Sequence, residues 1–439
     1  MNKTKPTIKI YGAGLAGSEA SYQLAKRGFN VELYEMKPVR FSPAHSNPSL
    51  AEIVCSNSFK SELLSTASGC LKAELELLDC LLLRIAKENA VPAGSALAID
   101  REKFSNAVTK TLESFPNIKI IREEVKEIDT SVPTIIATGP LTSDALALQI
   151  KALLGEESLY FYDASAPIVD ASSILKEKTF TTSRYQKGDS DYINCPMNKE
   201  EYYAFVHELV SAERAKLHDF EKSEVFEGCM PVEIMASRGE DTLRFGPLRP
   251  VGLLDNDGKR PYAVVQLRKE NSAGELYNLV GFQTNLTFGE QKRVFSMIPA
   301  LANADFVKYG VMHRNTFVNA PKHLNSDFSM KKYPNIYFAG QISGVEGYVE
   351  SIMSGLVASI SLARRLDEMP KIEFNNKCII GAICQYLVAP NENFQPMNAN
   401  FGILEPLQEK VKDKQKRKEA YSLRAIEEIK KIKENYNGI

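Results

Sequence analysis

Thr7-Ile-Lys-Ile-Tyr-Gly-Ala-Gly-Leu-Ala-Gly-Ser18 decides the fold of this chain. Thr7 to Tyr11 reads as a buried strand, and Ser18 to Lys26 as the helix that follows it. Between them lies Gly12-Ala13-Gly14-Leu15-Ala16-Gly17. In such a turn the first glycine permits the tight bend, the second lets backbone approach a pyrophosphate, and the third lets helix pack close on strand. A phosphate then meets the helix N-terminus, where unpaired N–H groups and the helix dipole favour an anion. Asn30 to Tyr34 reads as the second strand, and Glu35 at its end suits ribose hydroxyls, roughly 20 residues on. The unit predicts a dinucleotide, and by itself it does not choose FAD over NAD.

A second glycine cluster makes that choice. Ala339-Gly340-Gln341-Ile342-Ser343-Gly344-Val345-Glu346-Gly347-Tyr348 follows the strand pattern Asn335-Ile-Tyr-Phe and precedes a helix expected from about Glu350 to Leu366. Two separated phosphate-binding turns on one nucleotide fold suit an extended FAD, the second lying near the flavin ring. The alternative is a tight strand–helix turn without a ligand.

Elsewhere the chain predicts strands at Asn117–Val125 and Thr134–Ala137 and one long helix over Leu63–Glu88, with apolar residues at helical spacing. From about 186 to 324 the character changes to Tyr- and Pro-rich turns with short strand patterns at Ala263–Leu267 and Leu279–Phe282. The expected architecture is α/β: a Rossmann-like FAD-binding domain, 1–185 and 325–439, with an inserted mixed α+β domain, 186–324.

Composition narrows the function classes. Lys+Arg 54 against Asp+Glu 55 gives a net charge of −1, so no global field recruits nucleic acid, and an RNA partner needs a local basic patch. The basic stretch beyond residue 408 is either a solvated helix face or an RNA arm. Seven cysteines, an odd number without a CxxC pair, read as reduced thiols of a cytoplasmic protein. The five histidines show no metal spacing, and no metal is expected. No apolar run is long enough to span a bilayer, and no obligate protein partner is evident.

Two cysteines stand apart: Cys55 in Cys55-Ser-Asn-Ser-Phe59 and Cys229 in Phe226-Glu-Gly-Cys-Met-Pro231. A reactive thiol needs a pKa lowered by a helix N-terminus or a cation, and each is open to being a small core residue instead. Cys70, Cys80, Cys378 and Cys384 fall on apolar faces, and Cys195 is ambiguous. Arg244, Arg249 and Arg314 sit in polar, turn-rich stretches, as grips for anions or as solvated charges.

Taken together, these stretches resemble the folate- and FAD-dependent tRNA (uracil-5-)-methyltransferase family, TrmFO. Tyr34-Glu-Met-Lys-Pro38, Gly281-Phe-Gln-Thr284 and Gly310-Val-Met-His-Arg-Asn-Thr316 add to the likeness, which runs from residue 8 to about 405. The resemblance implies transfer of a methylene group from 5,10-methylenetetrahydrofolate to C5 of the T-loop uridine, through FAD, with NADPH or NADH as reductant. It puts Cys229 at the position of the nucleophile that adds to uracil C6, Cys55 at that of a second functional cysteine, and Tyr348 beside the isoalloxazine. By their charge, Arg244, Arg249 and Arg314 are candidates for folate or RNA anions. The competing expectations are the same chemistry on a ribosomal RNA uridine, a plain FAD/NAD(P)H oxidoreductase of a small molecule, and a flavin-binding scaffold without turnover.

Overall fold

The computed structural model of the protein describes residues 5–155, 159–182, 192–215, 230–392 and 394–436. Its first core is built on a five-stranded parallel sheet, ordered Ile336–Phe338, Thr134–Ile136, Thr7–Tyr11, Asn30–Tyr34, Ile118–Ile121. Ile8, Ile10, Leu33, Ile135 and Phe338 are wholly enclosed in it. The strand order turns back between Thr7–Tyr11 and Thr134–Ile136, which opens a crevice outside their carboxyl ends. This is the expected Rossmann-like arrangement.

Two helices frame the crevice. Leu15–Lys26 packs along Tyr348–Leu366. Their approach depends on Gly355, where a Cβ would stand 2.2 Å from the Ala16 carbonyl oxygen.

The expected long helix over 63–88 is two helices, Ala67–Leu77 and Leu81–Glu88. Asp79 adopts φ +53° between them, and its carboxylate takes the Tyr22 hydroxyl at 3.1 Å. The buried Glu19 carboxylate accepts from the Leu81 and Leu82 N–H groups at 3.2 and 2.9 Å, giving the second helix its cap. The break is thus made by docking onto the first helix, while the apolar stripe runs on unbroken.

Glu74 repeats this device. It is fully buried and accepts from the N–H groups of Ile379 and Ile380 at 2.7 and 2.9 Å, capping helix Ile379–Tyr386. Glu74→Ala leaves two buried donors unpaired, and a loss of about 3 kcal/mol is expected in denaturant unfolding. Burial pushes the Glu74 carboxyl up to about 7 from 4.5. The folded chain therefore holds this proton more tightly than the unfolded chain does. Stability from this group is complete below about pH 4.5 and declines as pH rises to about 7.

The second core carries a six-stranded antiparallel sheet, ordered Phe180–Thr181, Tyr192–Met197, Ala263–Lys269, Leu276–Leu279, Ile168–Asp170, Phe306–Lys308. Helices Lys199–Ser211 and Phe288–Phe295 pack with it, through Phe205, Leu209, Val294 and Phe295. The sheet draws on residues well ahead of 186, namely Ile168–Asp170 and Phe180–Thr181. The pattern read as a strand at Leu279–Phe282 is the end of Leu276–Leu279 followed by a turn, with Gly281 at φ +78°.

The basic tail forms helix Lys414–Asn435, which lays Ala425, Ile429 and Ile432 into the first core against helix Ala67–Leu77. Among the described residues no helix is long and apolar enough to cross a membrane.

Candidate functional site

The crevice at the strand ends is a pocket of about 1160 Å³, its open mouth included. The first glycine turn forms its floor. The Gly12 N–H donates to the Tyr34 carbonyl at 2.9 Å, and the Ala13 N–H donates to Glu35 Oε2 at 3.0 Å. Glu35 Oε1 accepts the Lys37 N–H at 3.0 Å, so the carboxylate is aimed before any ligand arrives. Gly12 has φ +92°, and a Cβ there would lie 2.6 Å from the Ala137 oxygen.

Gly14 is different. A Cβ on it would meet nothing within 4 Å, and its φ of −71° suits any residue. Packing within the protein does not explain this glycine; room for something from outside does. Helix Leu15–Lys26 begins there without a side-chain cap or an acidic residue in its first turn. An open cradle under an uncapped helix start fits the pyrophosphate of a dinucleotide. Ala13, Leu15 and Ala16 also line the pocket. Gly17 lies behind them, where a Cβ would fall 1.8 Å from the Gly12 oxygen.

Of the second cluster, Gly340, Gln341 and Tyr348 reach the pocket. Gly344 and Gly347 are not among its lining residues, and packing accounts for both. At Gly344 a Cβ would stand 2.6 Å from the Phe394 ring; at Gly347 it would stand 2.3 Å from the Glu350 carboxylate.

Cys55 lines the same pocket and is partly exposed. The Tyr348 hydroxyl accepts the N–H groups of Cys55 and Ser56 at 2.9 and 3.2 Å, bringing together residues 293 positions apart. Burial pushes the Tyr348 hydroxyl pKa up, so it is neutral and has its own proton to donate. Arg101 and Lys308 both interact electrostatically with Cys55. Burial lowers the Lys308 pKa, and Arg101 adds to that lowering.

Cys229 lies outside the described residues. The chain just beyond is well anchored. The Val232 N–H donates to the Gln283 carbonyl at 2.7 Å, and buried Glu233 accepts from Thr284 Oγ1 and the Asn285 N–H at 2.9 and 2.7 Å. Thr284 in turn touches Gly310, where a Cβ would lie 2.7 Å from its methyl group. Two of the stretches singled out in the sequence, 281–284 and 310–316, are therefore packed together, with Val232 and Glu233 against the first of them.

Neither Arg244 nor Arg249 lines the pocket. The Arg244 guanidinium lies 3.7 Å over the Tyr262 ring and pairs with Asp241 at 3.0 Å, so its charge is used locally. Arg249 is exposed, and the Arg314 side chain is outside the described set. Cys70, Cys80, Cys195, Cys378 and Cys384 are all buried. Burial raises their pKa values, which makes them inert core thiols.

Sequence reasoning missed several residues here. Thr138, Gly139 and Pro140 line the pocket after the strand Thr134–Ile136. Lys37 and Glu52 pair at 3.0 Å, and both lie on the pocket wall. Arg101 follows the Asp100 N-cap, and nothing local marks it as a partner of Cys55.

Fold and site together define a GidA-type protein with a dinucleotide crevice and a thiol in its lining. Residues 7–370 match the family model described as "Glucose inhibited division protein A". The structure of Aquifex aeolicus GidA in its form II crystal superposes with a TM-score of 0.69 at 15% identity, covering 98% of this chain and 74% of that one. At that identity the likeness speaks for fold alone.

Within the class the chain belongs to the TrmFO family. It is 56% identical over 428 residues to the methylenetetrahydrofolate--tRNA-(uracil-5-)-methyltransferase TrmFO of Desulfitobacterium hafniense, covering 97% of this chain and 98% of that protein. The Bacillus licheniformis protein of the same name is 53% identical over the same share of both.

Proposed function

We propose that the protein methylates C5 of the T-loop uridine, position 54, of tRNA in the cytoplasm. The one-carbon unit comes from 5,10-methylenetetrahydrofolate, and NADPH or NADH is the reductant. Identity of more than half over nearly the whole chain to proteins named for this reaction carries the reading.

The residues suit the chemistry. Uracil C5 is a poor nucleophile until a thiolate adds at C6, which pushes electron density onto C5. Cys229 forms that C6–S bond and is expelled at the end, when the C5 proton has left. Cys55, which lines the same crevice, assists removal of that proton. The crevice suits FAD: the Gly12–Gly17 turn would hold its pyrophosphate and Glu35 its ribose, with Gly340 and Gln341 lining the same pocket. Bound there, it supplies the reducing equivalents that take the one-carbon unit to the methyl level. The target base has to leave its stack, at a cost of a few kcal/mol.

The test is transfer of label from methylenetetrahydrofolate to unmodified transcripts of tRNA and of large-subunit rRNA. Label is expected in tRNA at the T-loop uridine. Label in rRNA alone would move the assignment to the ribosome. Reductant oxidation without label in either RNA would leave a small-molecule oxidoreductase.

A further inference from the structure

The loop Ile53–Asn57, which carries Cys55, belongs to the first core; ahead of the thiol it is held by Arg101 of the same core, itself gripped by the second core, and beyond the thiol it is held by the second core directly. Ahead of the thiol, Arg101 Nη1 donates to the carbonyls of Ile53 and Val54, each at 3.0 Å. The rest of that guanidinium forms a fork with Glu270: Nε to Oε2 at 2.6 Å and Nη2 to Oε1 at 3.3 Å. The two side chains are only 16% and 3% exposed. Beyond the thiol, wholly buried Asn57 donates to the Lys269 carbonyl at 2.7 Å and accepts from Arg268 Nε at 2.8 Å. Residues 268–270 lie at the end of the strand Ala263–Lys269 of the second sheet.

We propose that Arg101, oriented by Glu270, is the positioning residue that holds the Cys55 thiol in the pocket wall. The geometry favours this over a plain staple between the cores. A buried ion pair gives up much of its attraction to desolvation, so apolar contact would join the cores as well. What an apolar pair cannot supply is direction. The planar guanidinium presents its donors in a rigid fork, whereas a lysine is a point charge on a flexible stem. Here one edge of the fork is fixed by Glu270, and the free donors end on the two carbonyls just before the thiol. Charged and titratable groups facing Cys55 are Arg101 from helix Arg101–Glu113, Tyr348 from helix Tyr348–Leu366 and Lys308 from strand Phe306–Lys308.

The proposal rests on the reading that Cys55 takes part in methylation, and the experiment separates the two. Flavin-loaded full-length protein is prepared as wild type, Arg101→Lys, Glu270→Gln and Cys55→Ala. Turnover is measured on unmodified tRNA, and iodoacetamide modification of the Cys55 peptide is followed by mass spectrometry across pH. Arg101→Lys keeps the charge and loses the fork. It is expected to lower kcat about 100-fold, the scale of a 1 Å misplacement, while KM for tRNA stays within about threefold. The alkaline plateau of Cys55 modification, where the thiol is fully ionised, should rise as the loop loosens. Glu270→Gln, nearly isosteric, should move both readouts the same way and decides the matter if Arg101→Lys does not hold flavin. Unchanged kcat and plateau in the flavin-loaded variants overturn the positioning role. Full methylation by Cys55→Ala instead removes Cys55 from the reaction and leaves the plateau to judge Arg101.

Discussion

Gly14→Val is expected to give a folded protein that purifies without flavin. The backbone there, at φ −71°, is open to valine, and nothing in the protein stands within 4 Å of an added Cβ. The fold gives up about 1 kcal/mol of helix capping at most, since valine is a poorer N-cap than glycine. The ligand loses far more. A branched side chain fills the cradle where the pyrophosphate must approach the backbone, and affinity should fall at least about 100-fold, roughly 2.7 kcal/mol. Visible flavin absorbance and a thermal melt read the two effects separately. Gly17→Ala is the contrasting case: its Cβ would sit 1.8 Å from the Gly12 oxygen, so it should damage the fold itself. Native flavin content in Gly14→Val would mean the cradle has another use.

Cys229→Ala is expected to abolish methyl transfer while flavin stays bound. Without a thiolate at C6 the uracil ring has no means of raising electron density at C5, and the loss should be about 10⁴-fold or more in kcat. Flavin retention is expected because, among the described residues, those lining the crevice come from the first core and its glycine turns. Single-turnover label transfer is the measurement. Methylated product at a rate near wild type would return Cys229 to the ordinary thiols.

The parts of this fold that could be read in advance are those that a local pattern encodes. Gly12, Gly14 and Gly17 prescribe a backbone path over six residues, and Glu35 follows one strand later. Their spacing was enough. Tyr348 came with the family pattern, though its hold on the Cys55 backbone did not, because that contact spans 293 positions. The split between Ala67–Leu77 and Leu81–Glu88 was hidden for a related reason. Its apolar stripe keeps helical period, while the break is imposed by Glu19 on another helix. Arg101 was illegible because each of its partners is at least 47 positions away. Gly344 and Gly347 were grouped with Gly340 on proximity in the chain, and only the Phe394 ring and the Glu350 carboxylate reveal what those two glycines make room for.

The two cores also differ in how the ribosome delivers them. The second draws on one stretch, from Ala166 to Ala304. The first is assembled from both ends of the chain, from Ile8 to Leu154 and again from Phe317 to Ile432. Its sheet lacks the strand Ile336–Phe338, and helix Ala67–Leu77 lacks the cover of helix Lys414–Asn435, until those later segments have been synthesised. During synthesis the later-encoded core can close while the earlier-encoded one waits, its apolar face in need of chaperone shelter. A nonsense mutation just before Lys414 would therefore spare the antiparallel sheet and strand the nucleotide core in that waiting state.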